Sequence, residues 1–215
     1  MSPPFHFLQK VFLPLLAKMG AKVELNLKRF GFYPAGGGEI VMEVKAGCTL
    51  QPLHLQKRGD LLSAYAEAFS AGLPTHVPDR ELEFVKQRMG WLDDQLIATP
   101  LDQKQGPGNV LFITLEHEFV TEIFTGFAER GVSAEAVANC AVKPAQRYLA
   151  SEAAIDGYLA DQLLLPMALA GEGGFVATDW TLHARTNAEI IKRFLSIDIT
   201  SERSKDFFKV SLMTE

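Results

Sequence analysis

Two short runs that alternate apolar and polar residues flank one glycine-dense segment, and this arrangement restricts the possible folds more than any other feature. Val23, Leu25 and Leu27 alternate with polar neighbours, as do Ile40, Met42 and Val44. A period of two predicts two strands, half buried on one face and joined by Phe30 to Glu39. The joint contains Gly31-Phe32-Tyr33-Pro34-Ala35-Gly36-Gly37-Gly38. Three successive glycines tolerate positive φ and let a second backbone or a phosphate come close. A tight hairpin connection on structural glycines is the other reading. The run is no Walker loop, because no Gly-Lys-Ser/Thr follows. It also lacks the strand-glycine-helix order of a dinucleotide fingerprint.

Helical spacing surrounds this unit. Phe5, Leu8, Val11, Phe12, Leu15, Leu16 and Met19 predict a helix from Phe5 to Met19, with Pro14 removing one ladder bond and Gly20 ending it. Lys57 to Asp60 is a polar break and a candidate domain boundary. Leu61 to Ala71 is ambiguous between helix and strand. Pro78 to Met89 reads as a helix, and Gln105 to Asn109 as a turn. Val110 to Leu115 and Val120 to Phe124 read as strands, and Ser133 to Leu149 as a helix. Glu152 to Ala170 is predicted to be one long helix stopped by Gly171-Glu172-Gly173-Gly174. A strand at Phe175 to Thr178 leads to a helix from Asn187 to Leu195. Strands near Ile197 to Thr200 and Phe207 to Leu212 close the chain. Strands and helices mixed without a regular period argue for α+β layers.

Composition excludes several classes. Of 215 residues, 47 % are apolar and 22 % charged, enough for a core in a water-exposed protein. The longest apolar stretch, Leu163 to Ala170, is far below the ~20 residues that span a bilayer. No secretory pattern opens the chain. Cys48 and Cys140 lack a local metal-ligand partner and read as reduced thiols, so a cytoplasmic location without membrane attachment is expected. A formal charge of -5 gives no support for wrapping duplex nucleic acid, although a strand end needs only a few local cations.

Two further places can carry chemistry. His183 lies in Asp179-Trp180-Thr181-Leu182-His183-Ala184-Arg185-Thr186-Asn187, and Thr186 with Glu189 has the spacing of a capping box. On that reading the next helix starts near Thr186, and His183 stands just ahead of its free N–H groups, a place suited to phosphate oxygens with Arg185 beside it. A surface or packing histidine is the alternative. Asp161 and Gln162 interrupt an apolar helix and supply either ligand contacts or a solvated edge. His6, His54, His76 and His117 form no set with zinc spacing, and no metal ligand is assigned.

Taken together, "GFYPAGGGEI" (Gly31 to Ile40), "YLADQLLLPMALAGEGGF" (Tyr158 to Phe175) and "HARTNAEIIKRFL" (His183 to Leu195) resemble the RNA 3'-terminal phosphate cyclase family. "DQKQGPGNV", Asp102 to Val110, is similar to that family's inserted domain. The resemblance implies an α+β fold with a large domain of repeated sheet-plus-two-helix units. Residues 1–55 and 150–215 would form part of the large domain, and residues 56–149 a smaller inserted α+β domain. It also implies that an N-terminal cyclase portion precedes this sequence in the family. Without that portion, apolar faces would stay unburied and the cleft incomplete.

The chemistry implied is ATP-dependent. The position matching His183 attacks the α-phosphate of ATP, and a divalent metal, Mg or Mn, assists. AMP passes to an RNA 3'-phosphate, and the 2'-hydroxyl closes a 2',3'-cyclic phosphate. By the same resemblance Asp161, Gln162 and Pro4 (or Pro3) border the nucleotide. A non-catalytic relative binding RNA or ribosome-assembly partners, an enolpyruvyl-type transferase and an inactive truncated cyclase are the competing readings.

Overall fold

The computed structural model describes residues 3–214. Its first element is a continuous helix in three stretches: α1 (Phe5–Phe7), a π segment (Leu8–Phe12) and α2 (Leu13–Lys18). Phe7, Val11, Leu15 and Met19 are buried along one side. A strict spacing of four drifts around a 3.6-residue helix, and a wider π turn corrects the drift. The π stretch ends beside Pro14, which has no N–H to give to the ladder.

Three sheets follow. β1 (Lys22–Arg29) and β2 (Glu39–Lys45) form an antiparallel pair, with Val23 opposite Val44, Leu25 opposite Met42 and Leu27 opposite Ile40. The expected face is present, but its burial is not. Leu25 is buried, whereas all seven residues of β2 are exposed, Met42 at 60 % and Val44 at 62 %. The preceding helix packs near β1 and Arg29 at its end reaches Lys104 O, but nothing among the described residues covers β2.

The second sheet has the order β3-β8-β10-β9: β3 (Leu53–Leu55), β8 (Glu172–Ala177), β9 (Ile197–Arg203) and β10 (Phe208–Thr214). The third has the order β5-β4-β6-β7: β4 (Leu61–Ala71), β5 (Leu96–Pro100), β6 (Gly108–His117) and β7 (Thr121–Phe127). The chain leaves the second sheet after β3 and enters the third at β4, with the polar segment Lys57 to Asp60 between them. It returns where Ile155 makes a parallel bridge to Ala177. Since Leu55 pairs with Phe175, Leu55 and Ile155 fill successive positions along the same side of β8. One edge position is thus shared by two segments far apart in sequence.

Leu61 to Ala71 proves to be a strand. Ala66 and Ala68 face α3 (His76–Met89) and α4 (Ala134–Ala150), while Phe69 enters the core on the other side. Small side chains let those helices approach closely. β6 is buried almost throughout, because α3 and α4 cover one face of its sheet and the first helix the other. Strands β3 and β5 are too short to show a period and are absent from the sequence reading.

Two other expectations fail. The long helix starts at Gly157, as α5 (Gly157–Ala170), because Ala154 and Ile155 are extended and donate to Val176 O. Gly171 ends it in the left-handed region, but Gly173 and Gly174 belong to β8. A Cβ at Gly173 would press on Met167 of α5 at 2.9 Å, so helix–strand contact requires that glycine.

Glu81 of α3 is fully buried and accepts from Asn109 Nδ2, while its Oε2 and Asn109 Oδ1 have no partner among the described residues. Burial lifts its carboxyl to about 7, against the opposing Asn109 hydrogen bond. A carboxyl raised in the fold contributes fully below its unfolded value of 4.5 and is lost as pH rises through about 7. Glu81→Gln should therefore flatten the stability profile and gain up to about 3 kcal/mol over the parent at pH 8. Denaturant midpoints from pH 5 to 8 test this, and parallel profiles would refute it.

Candidate functional site at two helix N-termini

Successive parallel connections bring two helix starts together. α5 follows the segment bridged to β8, and α6 (Leu182–Phe194) follows β8 itself. Asp156 caps α5, its carboxylate accepting from Tyr158 N at 3.5 Å and from Thr178 Oγ1 at 2.7 Å. Thr181 caps α6 through Oγ1, which accepts from Ala184 N at 3.1 Å. Gly157 lies directly against the second start. A Cβ there would meet Thr181 Cγ2 at 3.0 Å and Asp179 Cβ at 3.2 Å. Both positive helix ends therefore face one place.

This changes the reading of His183. Thr186 is inside α6, because buried Trp180 and the Gly157 contact fix the chain at Thr181 and the helix begins immediately afterwards. His183 is consequently an exposed residue of the first turn, not a residue ahead of it. The N–H groups of Leu182 and His183 have no partner among the described residues. Arg185 is steadied by its Nε donating to Trp180 O at 3.0 Å.

Asp161 meets the same seam. Asn187, one turn beyond His183, donates through Nδ2 to Asp161 Oδ1 at 3.0 Å and to Asp161 O at 3.1 Å. This double contact ties α6 to α5. Gln162 is half-buried beside Asp161 and makes no side-chain hydrogen bond among the described residues. Tyr158, 77 % exposed, stands one turn earlier on α5 and was not singled out from the sequence. Its signal was its spacing of three and four from Asp161 and Gln162. Pro4 caps the first helix, its carbonyl accepting from Leu8 N. No described contact joins Pro4 to Asp161, Gln162 or His183.

Behind the site, Glu122 of β7 accepts from Asp156 N at 2.6 Å. Burial, and then the Asp156 carboxylate, push Glu122 well above the usual carboxylate range. Asp156 is also paired with Arg147 at 3.4 Å. The arrangement can accept phosphate oxygens at the start of α6, where the Leu182 and His183 N–H groups have no partner among the described residues, and present an exposed imidazole to phosphorus, whereas the start of α5 is filled by the Asp156 carboxylate. Among the described residues no group of three or more His, Cys, Asp or Glu side chains is set to hold a metal ion.

Removing the Thr181 cap should loosen this end selectively. Thr181→Ala is expected to raise exchange of the Ala184 amide about fivefold, matching ~1 kcal/mol for a lost cap. Exchange in α3 should stay unchanged, and an unaltered Ala184 rate would show that the cap does not hold the turn.

A profile of "RTC: RNA 3'-terminal phosphate cyclase" matches residues 1–201. The RNA 3'-terminal phosphate cyclase of Ectopseudomonas mendocina is 45 % identical over 206 residues, covering 96 % of this chain and 60 % of that protein. That of Pseudomonas fluorescens is 48 % identical over 199 residues, covering 93 % and 58 %. That of Salmonella enteritidis is 40 % identical over 209 residues, covering 97 % and 61 %. The chain spans about 60 % of the length of these relatives. No helix among the described residues is long and apolar enough to cross a membrane. The matched profile and the shared length place this chain in the RNA 3'-terminal phosphate cyclase family.

Proposed function

We propose that this chain supplies the nucleophile and part of the nucleotide site of an ATP-dependent RNA 3'-terminal phosphate cyclase. The observation that carries the reading is exposed His183 in the first turn of α6, beside the start of α5 and tied through Asn187 to Asp161. Neutral imidazole attacks the α-phosphorus of ATP, a nitrogen–phosphorus bond forms, and the bond to the bridging oxygen breaks with pyrophosphate leaving. The free N–H groups of Leu182 and His183 and the Arg185 guanidinium are donors for the α-phosphate oxygens. Asp161 and Gln162 face ribose or base, and exposed Tyr158 offers a ring for stacking. A terminal RNA phosphate oxygen then takes AMP from the histidine. The 2'-hydroxyl attacks that phosphorus, expels AMP and leaves the 2',3'-cyclic phosphate. A divalent metal, Mg or Mn, would neutralise phosphate charge when bound with the nucleotide.

The domain reading belongs to the same proposal. Residues 56–149 form an inserted unit within a large domain contributed by 1–55 and 150–215. The divided edge position beside β8 supports this. So does a recurring order, since α2 leads into the β1–β2 hairpin as α6 leads into the β9–β10 hairpin. The apolar, uncovered β2 agrees with a further cyclase portion packing there and completing the cleft.

Two experiments test these statements. A protein of family length carrying these residues should acquire label from ATP labelled at the α-phosphate, not at the γ-phosphate, in an acid-labile bond. His183→Ala should abolish attachment and cyclisation; label retained by that variant would remove His183 from the nucleophile's role. Limited proteolysis of the chain should leave a compact fragment close to residues 56–149. Uniform cleavage across that span would contradict the insertion.

A further inference from the structure

The glycines of the β1–β2 connection divide into two kinds. Gly31 and Gly38 touch, and a Cβ on Gly31 would collide with Gly38, so close approach of the two strands explains both. Packing does not explain Gly36 and Gly37. Both have positive φ, 68° and 77°. A Cβ at Gly36 would meet nothing within 4 Å, and one at Gly37 would meet only the Arg29 guanidinium, at 3.9 Å. Bare backbone thus faces open space with a guanidinium at its side.

The tip is held firmly from below. Gly36 N donates to Phe32 O at 2.7 Å, and Phe30 N donates to Gln105 Oε1 at 2.8 Å. Arg29 Nη2 donates to Lys104 O at 2.8 Å. The Phe32 ring lies so close to Gly108 that any Cβ there would collide with it. On this clamped base Tyr33 is 88 % exposed. Lys28, Arg29 and Lys104 are exposed at the same end of a chain with net charge -5. The nearby acids are engaged or opposed: Asp102 accepts from Lys104 N, and Glu39 lies opposite Arg29 in the ladder. A displayed ring, local cations and open backbone match single-stranded nucleic acid, whose bases stack while its phosphates need donors. Ordering of the loop is already met by folding, so binding does not bear that cost again.

We propose that this loop tip is a second contact for single-stranded RNA, with Tyr33 stacking a base and Arg29 and Lys104 holding phosphate beside Gly36 and Gly37. The choice of RNA rests on the cyclase reading above; the stacking geometry does not. The test uses the 215-residue chain, without ATP, and a fluorescent single-stranded adenosine 12-mer ending in a 3'-hydroxyl, which the cyclase reaction cannot consume. Anisotropy titration should show binding that weakens with salt. Tyr33→Ala should weaken it about tenfold, Tyr33→Trp should preserve it, and Lys104→Ala should reduce it and its salt dependence. Lys86→Ala, at a cation of α3 paired with Asp93, should leave it unchanged; with no ATP and no 3'-phosphate on the probe, a failed adenylation assay and a failed loop assay are told apart. Absence of binding by the parent chain overturns the proposal. Parent-like binding by Tyr33→Ala overturns it too, and so does equal preference for an RNA duplex, an acidic peptide or polyphosphate. Because Tyr33 is so exposed, its variants are expected to keep the parent's circular dichroism.

Discussion

Arg58 holds the two chain crossings together. It lies between β3 and β4, where the chain passes from one sheet to another, and its guanidinium grips the return crossing. It donates to Tyr148 O at 2.6 Å, Leu149 O at 3.1 Å and Ala153 O at 3.4 Å, and stacks over the Tyr148 ring at 4.6 Å. Those carbonyls belong to the last turn of α4 and the segment just after it, where acceptors lack helical partners and the helix dipole favours a cation. A planar fork with several donors suits three acceptors, whereas an ammonium would serve them as a point charge. Tyr148 OH continues the link by donating to Ala154 O at 2.8 Å. The start of α5, and through it the seam with α6, is therefore located relative to the third sheet.

Much of the fold was legible because the long elements carry periodic apolar patterns. The first helix, α3, α4, β6, β7 and the final hairpin all lie close to the spans expected of them. The open and the failed assignments share a physical cause. Leu61 to Ala71, open between helix and strand in the sequence, is decided by pairing with β6, and its alanines make room for helices. Glu152 to Asp156 has helix-compatible residues, but Val176 and Ala177 capture it as an extended segment. Thr186 and Glu189 have capping-box spacing, yet the contact of Gly157 with Thr181 starts the helix earlier. In each case a long-range contact overrides a sound local signal. β2 departs differently: its alternation is real, and burial requires something to pack against it.

The candidate site was legible in its parts and not in its assembly. His183, Asp161 and Gln162 stood out as polar residues in apolar or cap-like settings. The contacts that join their two helices depend on Gly157, Thr181 and Asn187, which look ordinary in sequence. A glycine after an aspartate reads as a turn, and an asparagine in a helix reads as a weak helix former. Only the fold gives Gly157 a neighbouring helix start to touch and Asn187 a carboxylate on the next helix.

The divided edge beside β8 also bears on how the chain folds. About one hundred residues separate Leu55 from Ile155, yet both sit along the same few residues of one strand. Closing so long an unstructured loop costs about 4 kcal/mol of entropy, so parallel pairing at that edge is a poor early event. The cost falls if the β4–β7 sheet and its helices form first and Arg58 holds their two ends together. Nucleation then belongs to the middle of the sequence. The sheet built from the flanking segments condenses afterwards, with the twin helix starts among the last features to be organised.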